Sequence, residues 1–187
     1  MRERYKQPTA SDTVITELMI PAYANFGGKI HGGLLLSLMD KVAYACATKH
    51  SELYCVTVAV ENVNFLAPVE VGELVHMMAR VNYTGNSSMV VGIRVTAENV
   101  KEQVVKHTNT SYFTMVAKGD DGRPAQVPGL RLTDRDALRR YAEAMLRQEL
   151  KSSHKDSVEQ MRRTFEISQA GELLKDRNCS VELGAYN

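Results

Sequence analysis

The stretch NFGGKIHGGLLLSLMD, residues 25–40, decides the fold prediction because a glycine-rich turn runs directly into a long apolar segment. From Gly32 to about Lys49 the chain has the length and composition of a buried helix rather than a strand. On a helix, positions 33, 36, 37, 40 and 44 share roughly one face. Burying the Asp40 carboxylate would cost several kcal/mol unless it were paired, hydrogen-bonded or able to titrate. Asp40 is therefore the residue in this stretch that needs an explanation, and a plain solvated helix face is one explanation.

Composition predicts an ordinary globular protein with one core domain and an appendage. The 187 residues carry a net charge of +1, with 44% hydrophobic and 24% charged residues. This balance gives no reason to expect nucleic acid or a membrane as a partner, and no run of about 18 apolar residues occurs. The three cysteines are an odd number at no metal-ligand spacing, so we expect no metal and a reducing, cytoplasmic setting. They are Cys46, Cys55 and Cys179.

Long β-branched runs follow the predicted helix, and a shorter one precedes it. TVITELM, residues 13–19, alternates like a short strand. About four longer runs occupy residues 54 to 118 and are separated by turn-forming residues, which is typical of an antiparallel meander. One helix and such a sheet must bury their apolar faces together. We predict an α+β fold with a sheet curled around a long central helix, and edge-to-edge dimerisation that covers its edges.

Charge increases abruptly after Pro128, which predicts a separate segment. Thr133 and Asp136 form a possible capping box at the start of a helix. KSSHKDS, residues 151–157, reads as a break before a weaker helical stretch at about 157–168. We predict a core domain over residues 1–129 and a charged helical C-terminal extension over 130–187. An apolar stripe on the first of these helices is expected to pack on the sheet or on another subunit; its residues are Leu138, Tyr141, Ala142, Met145 and Leu146.

The glycines suggest chemistry at the start of the central helix. Gly27, Gly28, Gly32 and Gly33 lie just before or at the helix N-terminus, where the first N–H groups lack intrahelical partners and the helix dipole is positive. Such an end can bind an oxyanion, and missing side chains let a substrate carbonyl approach closely. Asp40, two turns further on, could then act as a general base or as a nucleophile. A simple turn would explain the same glycines.

These residues carry a resemblance to a known family. Residues 25–40 resemble the signature N-x-x-G-x-x-x-G-G-x-(L/V)-(L/M)-x-x-x-D of hotdog-fold acyl-CoA thioesterases, the group of brain acyl-CoA hydrolase and its single-domain bacterial relatives. VTVAVENVNFLAPVEVGELV (56–75), VNYTGNSS (81–88) and FTMVAKGDDGRP (113–124) are similar to later blocks of the same family. The resemblance covers roughly residues 10 to 128 in consistent order.

The resemblance implies a hotdog fold and a homodimer whose active site lies between two subunits. Asp40 of one subunit would face Asn25 of its partner, and a hexamer built as a trimer of dimers is expected. The reaction would be hydrolysis of an acyl-CoA to a fatty acid and coenzyme A. No cofactor is expected, since coenzyme A arrives as part of the substrate. His31, Gly32 and Gly33 would bind the oxyanion or thioester, although a purely structural role for His31 stays open.

A second set of residues resembles the turn that contacts coenzyme A in this family. Hydroxyls and backbone N–H groups in that turn could reach phosphate or pantetheine oxygens, while a plain hairpin turn is the alternative. The predicted CoA-binding residues are Thr84, Gly85, Asn86, Ser87 and Ser88.

Two other functions remain open. A hotdog dehydratase would call for a catalytic histidine, whereas the conspicuous pair here is Asn25 and Asp40. A non-catalytic, acyl-CoA-binding regulatory hotdog protein would be expected to carry a DNA-binding domain, and the 12 residues before the first strand are too few for one.

Overall fold

A computed structural model describes residues 4–182 of the chain. It divides the chain into two compact units with the boundary after Met145. The boundary predicted after residue 129 stays a prediction.

The central helix, α1, spans Gly32–Ser51, as the sequence predicts. It ends where Glu52 adopts a left-handed conformation with φ of 57° and donates its N–H to Thr48 O. One side of the helix is buried, and the predicted polar stripe is exposed. The buried residues include Leu35, Leu38, Met39, Val42, Ala43 and Cys46, and the exposed stripe consists of Gly33, Leu36, Ser37, Asp40 and Tyr44.

Five antiparallel strands form one sheet in the order β2-β4-β5-β6-β3, which confirms the predicted antiparallel sheet. Strands β4, β5 and β6 form a meander as predicted, but β3 pairs with β6 and not with β4. A separate two-stranded parallel ladder joins β1 to β7. Strands β2 and β3 are the edges of the large sheet. Numbered in chain order, the strands are β1 (Tyr5–Lys6), β2 (Thr13–Leu18), β3 (Tyr54–Val60), β4 (Leu74–Thr84), β5 (Ser88–Asn99), β6 (Val104–Lys118) and β7 (Gly129–Leu130).

The core lies between helix α1 and one face of this sheet. Alternate residues of the central strands point at the helix, as strand geometry requires. Burying each such Val, Ile or Met side chain contributes about 1.5–3 kcal/mol. Since helix and sheet each present one apolar face, their mutual burial accounts for the curled arrangement. The buried positions are Val75, Met77, Ala79 and Val81 of β4, and Met89, Val91, Ile93 and Val95 of β5.

The C-terminal region is helical, as predicted, but two details of its prediction, the break at 151–157 and the cap at Thr133, are wrong. Helix α2 runs without a break over Arg135–Thr164, followed by a 3₁₀ turn at Ile167–Gln169 and the short helix α3 at Ala170–Leu173. Its N-terminus is capped by Asp134, whose Oδ1 accepts from Ala137 N at 2.8 Å, and not by Thr133. Within the first unit, Ala137 and Ala144 of this helix are buried and Tyr141 packs against Tyr83, whereas Leu138 is exposed.

Among residues 4–182, no helix combines the length and apolar character needed to cross a membrane.

His50 links the C-terminal end of α1 to the segment before β7 through a hydrogen bond. It is fully buried, and its Nε2 must carry the proton because its partner at 2.9 Å is the carbonyl oxygen of Pro128. Its Nδ1 is buried without a hydrogen-bond partner. Burial lowers the pKa of His50, the positive charge of Lys6 lowers it further, and the hydrogen bond to Pro128 opposes the shift.

This lowered pKa predicts acid-sensitive folding. The unfolded chain binds a proton on His50 more readily than the folded chain, so its contribution to stability is complete above about pH 6.5 and is lost as the pH falls towards the lower folded pKa. The melting temperature should therefore fall more between about pH 7.5 and pH 5.5 in wild type than in His50→Gln. Glutamine keeps an N–H donor for Pro128 but does not titrate. Equal drops in the two proteins would contradict the role given to His50.

Candidate active site

The loop before helix α1 is built around the side chain of Asn25. Its Oδ1 accepts from Gly27 N at 2.9 Å and from Lys29 N at 3.2 Å. Asn25 N donates to Lys29 O at 2.7 Å, and Gly28 takes the left-handed φ of +76° that closes the turn. Because two backbone N–H groups point at one side-chain atom, that atom must be the amide oxygen. The Nδ2 amide group is then the part of Asn25 that remains to bind something else.

His31 caps helix α1. Its Nδ1 accepts from Gly33 N at 2.9 Å. Glycine is needed at 33 because a Cβ there would lie 2.6 Å from His31 Cε1. Gly32 N–H finds no acceptor among the described residues, and a Cβ on Gly32 would lie 3.4 Å from the ring of Phe65. One of the two predicted oxyanion donors is thus already hydrogen-bonded to His31, and the other is not.

Asp40 is oriented by a residue that sequence reasoning missed. Thr57 of edge strand β3 donates its hydroxyl to Asp40 Oδ1 at 2.6 Å. The same hydroxyl lies 3.3 Å from Met115 Sδ. Asp40 is exposed in the single chain, so no large desolvation cost attaches to it. In the sequence, Thr57 is one of several β-branched strand residues, and no local pattern distinguishes it from the others.

An open cleft of about 360 Å³ lies beside this pair. Tyr44 and Tyr54 close one side with their rings edge-on, 6.2 Å apart. A second cleft, of about 350 Å³, contains the Arg80–Asp12 ion pair and none of the predicted site residues. The first cleft is therefore the one that belongs to Asp40. Its lining consists of Asp40, Lys41, Tyr44, Tyr54, Cys55, Val56 and Thr57.

The turn predicted to bind coenzyme A is a tight connection between β4 and β5. Gly85 N donates to Ser88 O at 2.8 Å. The carbonyl oxygens of Asn86 and Ser87 accept from Val127 N and Ala117 N, respectively. Ser88 lies opposite Val116, which lies opposite Val56 beside Thr57. The turn is therefore two strand spacings, about 10 Å, from the Asp40 cleft.

One chain does not bring the predicted catalytic residues together. Asn25 Oδ1 is engaged by its own loop and Asp40 by Thr57, and no hydrogen bond joins the two among the described residues. Gly33 and Asp40 are seven residues apart on one helix, a rise of about 10 Å. The geometry groups Asp40 with Thr57, and Asn25 with the helix end.

Comparison with known proteins assigns the family. Residues 27–104 match the model of the thioesterase superfamily. The protein VdlD of Helicobacter pylori is 41% identical over 139 residues, which are 74% of this chain and 79% of VdlD. A Zymomonas mobilis protein named as an uncharacterized acyl-CoA thioester hydrolase is 32% identical over 66% of this chain and 83% of its own. This chain belongs to the thioesterase superfamily.

Solved structures confirm the predicted hotdog fold of this thioesterase. A hexameric acyl-CoA thioesterase in its apo form has a TM-score of 0.78 and 30% identity, covering 81% of this chain and 97% of its own. The acyl-CoA hydrolase of Staphylococcus aureus, in complex with butyryl coenzyme A and coenzyme A, has a TM-score of 0.76 and 28% identity over 85% and 97%. Variants of that hydrolase with one asparagine, threonine or aspartate changed to alanine have also been solved.

The His31 cap gives this thioesterase a testable stability feature. His31→Ala should lower the free energy of unfolding by about 1 kcal/mol, because Gly33 N–H loses its acceptor. His31→Asn should restore most of that loss, since asparagine is among the best N-cap residues. Urea unfolding followed by circular dichroism measures both. If His31→Ala and wild type unfold at the same urea concentration, the cap does not stabilise the helix.

Proposed function

We propose that this protein hydrolyses acyl-CoA thioesters to free fatty acid and coenzyme A, with Asp40 as the catalytic carboxylate. The observation that carries this proposal is the 2.6 Å hydrogen bond from Thr57 to Asp40 at the mouth of a cleft. It fixes the carboxylate through Oδ1 and leaves Oδ2 without a partner among the described residues. A fixed carboxylate beside a substrate-sized cleft is what activation of water, or direct attack on a thioester, requires.

The general-base version of the reaction balances without a further group. Water adds to the thioester carbonyl while Asp40 takes its proton, and the resulting tetrahedral oxyanion expels the coenzyme A sulfur. The sulfur leaves with the proton returned by Asp40, and the acyl group leaves as the acid. In the nucleophilic version, Asp40 attacks first and water then cleaves the mixed anhydride. Neither version uses a metal or redox cofactor.

Asn25 would act only as a hydrogen-bond donor. Its Oδ1 is fully used by Gly27 N and Lys29 N, so Nδ2 is the group available to a substrate. An N–H donor stabilises the oxygen that becomes negative in the tetrahedral intermediate, or holds the attacking water by its oxygen.

Helix geometry supports a site shared between two subunits. Direct attack requires two short distances at once. The carbonyl oxygen must lie about 3 Å from an N–H donor, and the carbonyl carbon must lie about 3–3.5 Å from the nucleophile. The rise of about 10 Å from Gly33 to Asp40 is too long for one carbonyl to contact both within one subunit by that route. Asn25 and the free Gly32 N–H of the partner subunit, facing Asp40 across a dimer interface, would remove this difficulty.

The surface beside Asp40 is suited to such an interface. Strand β3 is an edge, and no strand of residues 4–182 pairs with its outer side. Edges of this kind are usually covered. Phe26, at the tip of the Asn25 loop, is fully exposed. Val58 and Val60 of β3, and Phe65 and Leu66 shortly after it, are also exposed. We propose a homodimer through β3, and a hexamer as a trimer of dimers, for which the hexameric relative gives support.

The Staphylococcus aureus variants support the residue assignment. The asparagine, aspartate and threonine replaced there are separated along that chain by the same numbers of residues as Asn25, Asp40 and Thr57 here. The turn of residues 84–88 would bind coenzyme A, which that relative binds in its crystals. A cytoplasmic location remains a proposal, with which the unpaired thiols of Cys46, Cys55 and Cys179 agree.

The decisive experiment follows thiol release from acyl-CoAs of graded chain length. Wild type should release thiol, Asp40→Ala should lose on the order of 10²- to 10⁴-fold in rate, and Asn25→Asp should lose on the order of 10²- to 10³-fold. Aspartate at 25 keeps the oxygen that accepts from Gly27 and Lys29 but has no donor, so its thermal stability should stay close to wild type. Asn25→Ala, which loses both functions, is the control.

Each contrary result has a defined meaning. Full activity of Asp40→Ala would remove the proposed mechanism. Binding of acyl-CoA by wild type without thiol release would replace the enzyme with the non-catalytic, acyl-CoA-binding regulatory protein.

A shared site predicts complementation between inactive variants. Unfolding and refolding Asp40→Ala together with Asn25→Ala should restore about a quarter of wild-type activity per site, because half of the dimers are mixed and each mixed dimer carries one intact site. Each variant refolded alone is the control. If the mixture remains as inactive as its components, then Asn25 and Asp40 act within one subunit.

A further inference from the structure

Backbone contacts attach the Asn25 loop, residues 25–30, to the turn of residues 69–73, and the side chain of Ile30 is buried in the core. Ile30 N donates to Val69 O at 2.9 Å, and Lys29 forms an isolated bridge with Glu70. The side chains add a two-pronged contact, in which Lys29 Nζ lies 2.6 Å and 2.8 Å from the two carboxylate oxygens of Glu70. Lys29 and Glu70 therefore link the loop that carries Asn25 to the turn of residues 69–73.

That turn is itself held firmly. Glu73 is buried, accepts from Glu70 N through Oε2 at 2.8 Å, and pairs through Oε1 with Lys106 of β6 at 2.8 Å. Met19, at the end of β2, fixes the turn from the other side by accepting from Gly72 N at 2.7 Å and donating to Glu73 O at 2.9 Å. The anchor for Lys29 is thus connected to two strands of the large sheet.

We propose that Lys29 and Glu70 are positioning residues that hold the Asn25 loop in place for catalysis in the partner's active site, an inference that rests on the proposed function. Asn25 Nδ2 belongs to a loop whose tip, Phe26, is fully exposed. Small displacements of a catalytic group are costly, since an error of about 1 Å can reduce the rate on the order of 10²-fold. A two-pronged ion pair between loop and turn restricts that displacement directly.

The exposure of this pair separates positioning from stability. The side chains of Lys29 and Glu70 are 50% and 39% exposed. Ion pairs with that exposure contribute little to folding, so a purely structural role predicts almost no effect of removing it. A positioning role predicts a clear fall in kcat with unchanged thermal stability. The chain offers a comparable control in Arg139–Glu143 on helix α2, whose side chains are 54% and 43% exposed, and in which Arg139 also pairs with Asp136.

The experiment compares Lys29→Met, Glu70→Gln and the reciprocal exchange Lys29→Glu with Glu70→Lys. We expect each single variant to lower kcat about tenfold at saturating acyl-CoA, with KM changing less than twofold. The exchange should recover most of the lost kcat because it restores an ion pair at the same place. Glu143→Gln, which removes the pair with Arg139 and leaves the Arg139–Asp136 pair in place, should leave kcat, KM and the melting temperature as in wild type.

Two results would overturn the inference. The first is unchanged kcat in both Lys29→Met and Glu70→Gln. The second is a raised KM in Lys29→Met alone, seen with acyl-CoA but not with the acyl thioester of N-acetylcysteamine, which lacks the phosphates. That result would make Lys29 a phosphate contact, for which Glu70 is not needed. If wild type releases no thiol, the proposed function fails, and if Asp40→Ala and Asn25→Asp retain full activity, the proposed mechanism fails. If Asp40→Ala and Asn25→Asp are inactive while Lys29→Met and Glu70→Gln match wild type, only this inference fails.

Discussion

Burial of one side of helix α1 against the curled sheet is the interaction on which the rest of this structure depends. Leu35, Met39, Val42 and Cys46 are in the core, so the helical repeat leaves the side bearing Asp40 facing out. The same packing sets Asp40 beside edge strand β3, where Thr57 reaches it. A carboxylate is thereby fixed on an apolar helix without being taken out of water in the single chain.

The local parts of this arrangement could be predicted from sequence, and the parts set by long-range pairing could not. The apolar run after Gly32 specifies a helix, and the β-branched runs specify strands, because both depend on periodicity. Thr57 was missed because its approach to Asp40 depends on how β3 lies along α1, which no local pattern encodes. The break predicted at 151–157 was wrong since that segment contains no glycine or proline, and serine, histidine and lysine do not end a helix by themselves.

The start of helix α1 shows how a few N–H groups are divided between folding and chemistry. His31 takes Gly33 N–H as a cap, which stabilises the helix within the chain. Gly32 N–H is left unbonded among the described residues, and a Cβ on Gly32 would lie 3.4 Å from the ring of Phe65. Asn25 is divided in the same way, with its oxygen used by the loop and its amide group left over. Asn25, His31 and Gly33 therefore have folding roles in this structure in addition to the chemical roles proposed for this stretch.

The proposed pairing through β3 would change the chemistry of Asp40 as well as complete the site. An exposed carboxylate is well hydrated, and charged groups in water interact weakly with a distant carbonyl. Covering β3, Phe65 and the partner's Phe26 would remove water from the cleft and strengthen the interaction of Asn25 with a developing oxyanion. The separate chain folds without the cost of a buried, unpaired charge. In the proposed dimer, the Asp40 carboxylate would be shielded from bulk water only when a bound substrate or water molecule is there to share a proton with it. Splitting the proposed site between the Asn25 loop of one subunit and helix α1 of the other is therefore compatible with stable folding of each subunit, provided that the Asn25 loop is already rigid before the subunits meet.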